Sequence, residues 1–516
     1  MVSFGHATFL GVGGYAVALA TQKYGLPFSA GVGLAIIVGA AFALLFSFFA
    51  LRVSGIFFAL VTLALSQLIF ILADSKLRGF TGGSDGISGV ERPGFLGIDF
   101  YDPVHYYWFV LGVYALVMLA VISLRSSPFG RVIAAIRGNE TRADQLGFNV
   151  NRYKQITFVI SGGLSGLAGA AGLAADVHEP ADAALDHLGG RDHHDPAGRL
   201  RLAVGRHRRR DRLRGAQGMA EQLDRVLVRR AGPGVHPCNH LLPARHRWRA
   251  GAGFRGLPEE PARRCAMSQA ALRCEGVTVS YGALKAVNDV SHEFLEGCIY
   301  GLIGPNGAGK TTLLNVLAGR QMRHAGKVYC GGREISQRPA YERARMGIGR
   351  SFQIIKIFGE MTVAENLLVA AQSRRPGFQP FWMSRHFDRQ FREQLDAILE
   401  LTGLAAHRDD VAGTLPYGLQ RSLELGVTLL PDPRILLLDE PLAGIGHHEI
   451  QAALALIRKA AQGRTVLLIE HNMDAVMSLS HEIVVMSNGS VIACGAPEDI
   501  RRNEAVRSIY LGEDAQ

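Results

Sequence analysis

Gly304-Pro-Asn-Gly-Ala-Gly-Lys310-Thr311 fits the pattern G-x-x-x-x-G-K-S/T and follows an apolar run, Cys298 to Ile303, that reads as a buried strand. A loop of this kind joins a strand to a helix and so fixes an α/β core around itself. Its backbone N–H groups wrap the phosphates of a nucleotide, and the helix that follows aims its N-terminus at the same anion. Lys310 is placed to reach the β and γ phosphates, and Thr311 to put a hydroxyl on Mg2+. Gly304, Gly307 and Gly309 allow a backbone approach that side chains would block, and Asn306 and Thr312 complete the phosphate-facing set. The pattern alone gives nucleotide binding and leaves the kind of NTPase open.

Further along, Arg434-Ile-Leu-Leu-Leu438 is a short apolar run suited to a parallel sheet, and it ends in Asp439-Glu440. Two carboxylates at a strand's C-terminal edge suit metal and water: Asp439 to hold Mg2+ through its waters, Glu440 to polarise the water that attacks the γ-phosphate. A second apolar run, Thr465 to Ile469, delivers Glu470 and His471 at the same kind of edge. His471 alone reads as a surface or core histidine. Its place just after a strand, some thirty residues beyond Glu440, turns the reading toward a γ-phosphate sensor.

These residues resemble the ATP-binding subunit of ABC transporters, over Ala270 to about Leu511. The resemblance implies that Tyr281, in Val-Ser-Tyr-Gly, stacks on adenine. It also implies that Gln353, in Arg-Ser-Phe-Gln, is the glutamine that reaches Mg2+ and links the nucleotide to the membrane partner. Leu415-Pro-Tyr-Gly418-Leu-Gln420-Arg421 sits where the family places the signature loop that completes the ATP site of an opposing subunit, so Gly418 is expected to act across a dimer. Here Pro416 replaces the usual serine, which removes a hydroxyl and a backbone donor. Ala443-Gly-Ile-Gly-His-His448 also lacks the aspartate or asparagine usual near Gly446.

The first 175 residues have a different chemistry. Leu26–Ala50, Val53–Ala73, Val104–Leu124 and Ile156–Ala175 are apolar runs of 20 to 25 residues, and Ala7–Ala20 is a shorter one. Four are long enough to cross a bilayer, and their glycine and alanine suit close packing in lipid. Arg125, Arg131, Arg137, Arg142, Arg152 and Lys154 crowd the loop between Leu124 and Ile156, whereas Asp74 to Pro103 is net acidic, so the basic loop is cytoplasmic. Within it, Arg131 to Gly147 carries apolar residues at Val132, Ile133 and Ile136 that predict a short amphipathic helix. That stretch resembles the coupling helix that importer permeases press into a groove on the ATPase. Thr81-Gly-Gly-Ser-Asp-Gly-Ile-Ser-Gly89 and Ser3-Phe-Gly-His-Ala7 resemble the permease subunit of branched-chain amino acid importers. Such permeases begin one or two helices before this Met1, so a truncated N-terminus is expected.

Between the halves, Asp176 to Ala266 contains 18 Arg and 8 His but no Lys, Ser, Thr, Ile or Tyr in 91 residues. Flexible linkers use Ser and Gly, and basic tails mix Lys with Arg. GC-rich codons read out of frame give this composition. Permitted codons shifted by one base turn His187–Gly205, Arg206–Val228 and the stretch from Gly234 into alternating apolar and small residues, as in permease helices. A frameshift near Ala175 that runs on into an ATPase gene starting at Met267 is therefore expected, and sequencing the source DNA across codons 170 to 270 tests it. As a nucleic-acid arm or membrane-surface anchor the stretch lacks interleaved aromatics and a helical apolar face.

Of the net charge of +10, 18 − 11 = +7 belongs to this segment, which leaves +3 for the rest, so the basic balance does not indicate nucleic acid. All six Cys lie after residue 237 without a C-x-x-C pair, and no disulfide is expected. The expected architecture is an all-α transmembrane permease fragment, 1–175, a joint, 176–266, and an α/β P-loop ATPase, 267–516. Its partners would be a second ATP-binding subunit, a second permease subunit, a periplasmic substrate-binding protein and membrane lipid. The resemblance implies a multi-pass protein of the bacterial inner membrane with the ATPase in the cytoplasm. A half-exporter would need six complete helices, and a soluble ATP-driven switch would need tandem ATPase cores or no membrane spans. A conceptual fusion in which only the ATPase is competent is the third alternative.

Overall fold

The structure, a computed structural model, describes residues 3–53, 55–83, 87, 102–176, 269–374, 389–446 and 448–512. The Arg-rich joint and most of Thr81–Gly89 lie outside them. The described residues form two compact units: one holds the chain up to Tyr106 with Ser161–Asp176, the other Tyr107–Ile160 with the chain from Gln269.

Each apolar run of the N-terminal half is a helix. α1 is His6–Gln22, α2 Phe28–Ala50, α3 Ile56–Asp74, α4 the single turn Arg78–Thr81 and α5 Pro103–Ser126. α6 is Pro128–Gly138, α7 Glu140–Gln145 and α8 Val150–Asp176. Among the described residues three helices are long and apolar enough to cross a membrane, Phe28–Ala50, Ile56–Asp74 and Val104–Ser126. α8 covers the run expected as a fourth, and the side chains from Leu173 to its end at Asp176 lie outside the described residues.

Those small residues have a packing role within the first unit. A Cβ on Gly13 of α1 would lie 2.4 Å from the Gly166 carbonyl oxygen of α8. One on Gly39 of α2 would lie 2.6 Å from the Gly162 carbonyl, and one on Gly166 2.3 Å from that of Ala35. Three backbones thus touch along one seam, the packing open to helices in lipid, where water gives no hydrophobic drive. Phe9 and Phe46 pack edge to face beside it at 5.2 Å, and His6 Nε2 hydrogen-bonds Ser161 Oγ at 2.8 Å.

In the second unit the amphipathic stretch expected as one helix is two, α6 and α7. The break falls at Asn139, whose side chain accepts from the Arg142 backbone N–H at 3.0 Å and so caps α7. Phe129, Val132, Ala135 and Ile136 of α6 share one hydrophobic core with Phe358, Val363, Leu367, Leu395 and Leu423 of the C-terminal half.

Among the described residues ten strands make two sheets. β1 (Ala270–Tyr281), β2 (Leu284–Leu295), β4 (Ala325–Cys330) and β5 (Arg333–Glu334) form an antiparallel sheet in the order β2-β1-β4-β5. β3 (Ile299–Ile303), β6 (Ile348–Arg350), β7 (Ile435–Asp439), β8 (Thr465–Ile469), β9 (Glu482–Ser487) and β10 (Ser490–Gly495) form the other, ordered β10-β9-β3-β8-β7-β6. All its neighbours run parallel except β9 and β10. β3, β7 and β8 are buried throughout, which is why they read as unbroken apolar runs. Leu302 pairs with Ile469 and Asp439 with Ile469, so these strands end side by side and their loops leave one sheet edge, where α/β sheets hold ligands. Among the described residues Cys274, Cys330 and Cys494 are free thiols.

Candidate functional site

The loop after β3 takes the backbone its glycines permit. Gly304, Gly307 and Gly309 have φ of 149°, 79° and 95°. A Cβ at Gly304 would lie 2.1 Å from the Met486 carbonyl oxygen, and one at Gly309 2.2 Å from that of Ala286, so neither position admits a side chain. The helix Lys310–Leu317 begins directly behind, and Lys310 Nζ donates to the carbonyls of Gly304 and Pro305 at 2.6 and 2.9 Å. Asn306 and Thr311 are exposed on this loop and helix start, and Thr312 is half-buried.

At the neighbouring strand end, Gln353, Glu440 and His471 come together. Gln353 Nε2 donates to Glu440 Oε2 at 3.0 Å, and His471 Nε2 lies 3.1 Å from Glu440 Oε1. Glu440 has φ of 49°, a left-handed backbone that costs a non-glycine residue on the order of 1–2 kcal/mol. Its surroundings hold it there. Its N–H donates to the Ile469 carbonyl at 2.9 Å, and its own carbonyl accepts from Arg421.

Asp439 is buried, with one oxygen 3.4 Å from Arg350 Nη2. Burial pushes its carboxyl above the usual range, and Arg350 pulls it back in part. Its Oδ1 is buried with no hydrogen-bond partner, and an orphaned carboxylate oxygen at a strand end suits a hydrated Mg2+. The glycine cradle likewise suits phosphate. Glu470 is taken up structurally, accepting from the Leu442 N–H at 2.6 Å and the His471 N–H at 3.2 Å.

Two expected residues stand apart from this cluster. Tyr281 closes β1 and is 54 % exposed. Gly418 lies in the first turn of the helix Tyr417–Leu429, which Pro416 precedes in extended backbone, and a Cβ on it would meet the Glu449 carboxylate at 2.6 Å.

The sequence reading missed a set of buried charges. Arg421 donates to the carbonyls of Phe352 at 2.5 Å and Pro441 at 3.0 Å, and to that of Glu440, while pairing with Glu424 at 2.6 Å. Glu424 in turn accepts from the N–H groups of Phe352 and Lys356. Arg350 donates to Asn315 Oδ1 at 2.7 Å, on the helix behind the phosphate loop. Such residues look like solvated charges in a sequence. The one signal available was their place inside otherwise apolar elements.

Comparison with known proteins places both halves of the chain beside transport proteins. Residues 1–185 match the family profile "Branched-chain amino acid transport system / permease component", residues 287–443 "ABC transporter", and residues 490–516 "Branched-chain amino acid ATP-binding cassette transporter". The chain is 41 % identical over 260 residues to the high-affinity branched-chain amino acid transport ATP-binding protein BraF of Pseudomonas aeruginosa, spanning 48 % of this chain and all of that protein. It is 41 % identical over 254 residues to LivG of Escherichia coli, with the same coverage. A solved nucleotide-free ATP-binding cassette from an ABC transporter is 31 % identical, with 47 % of this chain and 99 % of that one covered at a TM-score of 0.41.

Proposed function

Because this chain belongs to the ABC transporter family, in the branched-chain amino acid branch, we propose that its two parts serve ATP-driven uptake of branched-chain amino acids or a related small polar solute. The observation that carries the reading is the hydrogen-bonded set Gln353, Glu440 and His471 beside the phosphate loop. In it Glu440 orients and deprotonates the attacking water, and His471 and Gln353 fix the Glu440 carboxylate and report on the γ-phosphate. Lys310 and the N–H groups of the loop from Gly304 to Thr312 hold the phosphates, with Asn306, Gly307 and Gly309 shaping it, and Tyr281 stacks on adenine. Thr311, Gln353 and Asp439 would hold Mg2+, which when bound neutralises charge on the phosphates. Gly418 belongs to the ATP site of a second copy.

ATP closes two cassettes head to tail, and α6 and α7 pass that closure to the helical part, which alternates its access. The assembly lies in the bacterial inner membrane with the cassettes in the cytoplasm, beside a second permease, a second ATP-binding subunit and a periplasmic substrate-binding protein. In this reading residues 1–175 are the permease part, 176–266 the out-of-frame joint and 267–516 the ATPase. The test is ATP hydrolysis by the purified full chain. Turnover should need Mg2+ and vanish with Lys310→Ala, through lost nucleotide affinity; turnover indifferent to Lys310 would sink the reading.

A further inference from the structure

Arg142 is one of the basic residues of the loop between α5 and α8, yet its side chain is 0 % exposed. It rises from α7 into the C-terminal part of the same unit. There Nη1 donates to the Arg350 carbonyl at 2.9 Å, and Nη2 to the Glu424 carbonyl and to Thr428 Oγ1, each at 2.9 Å. Its plane lies 5.9 Å from the Phe352 ring, one residue before Gln353. No carboxylate is bonded to it among these contacts; burial lowers its pKa to about 10, with Glu424 acting the other way. A guanidinium enclosed on carbonyl dipoles is costly, and three bonds at one length in a planar fork are what hold it there.

The two residues it grips each lead to the hydrolytic edge. Arg350, held by its carbonyl, sends its own guanidinium to Asp439 at 3.4 Å and Asn315 at 2.7 Å. Glu424, held by its carbonyl, pairs with Arg421, which bonds the Glu440 and Pro441 carbonyls. Glu440 sits in left-handed backbone, and the Arg421 bond to its carbonyl is one of the contacts that keep it there. A shift of α7 therefore reaches Asp439 over two hydrogen-bonded links by one branch and Glu440 over three by the other.

We propose that Arg142 is a positioning residue through which the loop between α5 and α8 sets the rate of ATP hydrolysis, by holding the Asp439–Glu440 edge in its reactive arrangement through Arg350 and through Glu424 and Arg421. This rests on the reading of α6 and α7 as the coupling segment and names the residue that carries the signal. A residue of this kind acts on turnover and not on nucleotide affinity.

The test uses the full chain. MgATP hydrolysis is measured for Arg142→Gln and Arg142→Lys, and docking of the loop is read separately by a short bismaleimide cross-link between Arg137→Cys and Glu360→Cys, an exposed ion pair at 3.6 Å. Arg142→Gln should lower kcat about tenfold or more with KM for MgATP within about twofold and the cross-link intact. Arg142→Lys, which keeps the charge but cannot reach all three acceptors, should lie between it and the parent. Unchanged kcat with an intact cross-link overturns the proposal and leaves the coupling reading standing. A parent chain that does not cross-link removes the coupling reading first. Should Arg142→Gln fail to fold, seen as loss of both cross-link and nucleotide binding, Arg142→Lys decides: an intermediate kcat at unchanged KM supports the proposal, and a parental kcat overturns it.

Discussion

Both units use glycine to bring backbones together, but in opposite conformations. In the helical unit Gly13, Gly39, Gly162 and Gly166 keep helical backbone, and their missing side chains let one helix touch the next. In the ATPase unit Gly304, Gly307 and Gly309 have positive φ, and their missing side chains shape a loop that presents N–H groups outward. One set closes protein on protein; the other leaves a surface for phosphate. The same residue type thus serves packing in one place and binding in the other, and the sign of φ separates the two.

Substitution should separate them as cleanly. Gly166→Val puts branched carbons where even a Cβ would lie 2.3 Å from the Ala35 carbonyl oxygen. The helical unit should then lose protease protection entirely, while thermal stabilisation by MgATP persists in the rest of the chain. Gly309→Ala should do the reverse, keeping the helices and abolishing nucleotide stabilisation, worth about 2.7 kcal/mol at a hundredfold excess over Kd in the parent. If either variant damages both units alike, the two glycine sets are not independent. Glu440→Gln keeps shape and both glycine sets but removes the group that takes the water's proton. ATP should still bind, with turnover down about a hundredfold, a barrier rise of about 3 kcal/mol. Near-parental turnover would remove Glu440 from that role.

The fold was legible where one physical demand dominates a run of residues. β8 occupies Thr465–Ile469 as its apolar run indicates, β7 is shifted by one residue, and the apolar runs of the first half all became helices. The phosphate loop was legible because glycine spacing reports a backbone constraint directly. Charged side chains were not legible, since sequence carries their sign but not their surroundings. Arg142 counts among the basic residues of the loop between α5 and α8, and nothing around it foretells full enclosure by Arg350, Glu424 and Thr428, more than 200 positions away. The same holds for Arg421 and Glu424, which look like an exposed pair on a helix and are nearly sealed. The break between α6 and α7 was missed because Gly138-Asn139 within a helical pattern can either continue or cap, and capping by Asn139 decides it.

The smallest expected effect lies two residues from Arg142 and sharpens the comparison at the place where the basic loop meets the ATPase. Asp144 of α7 is pushed up from 3.8 to about 6, chiefly by burial, with Arg320 opposing. A carboxyl whose pKa is higher in the folded than in the unfolded chain holds its proton longer when folded. Its contribution to stability is therefore fully present below about pH 4 and is lost as pH rises through about 6. Asp144→Asn keeps the neutral shape at every pH, so its melting temperature should exceed the parent's above pH 6 and approach it near pH 4. The parent's decline across that window should flatten in the variant, as read by thermal unfolding of the full chain at half-unit pH steps. Parallel curves across the window would mean that Asp144 is hydrated in solution and that α7 docks less tightly around it than around Arg142.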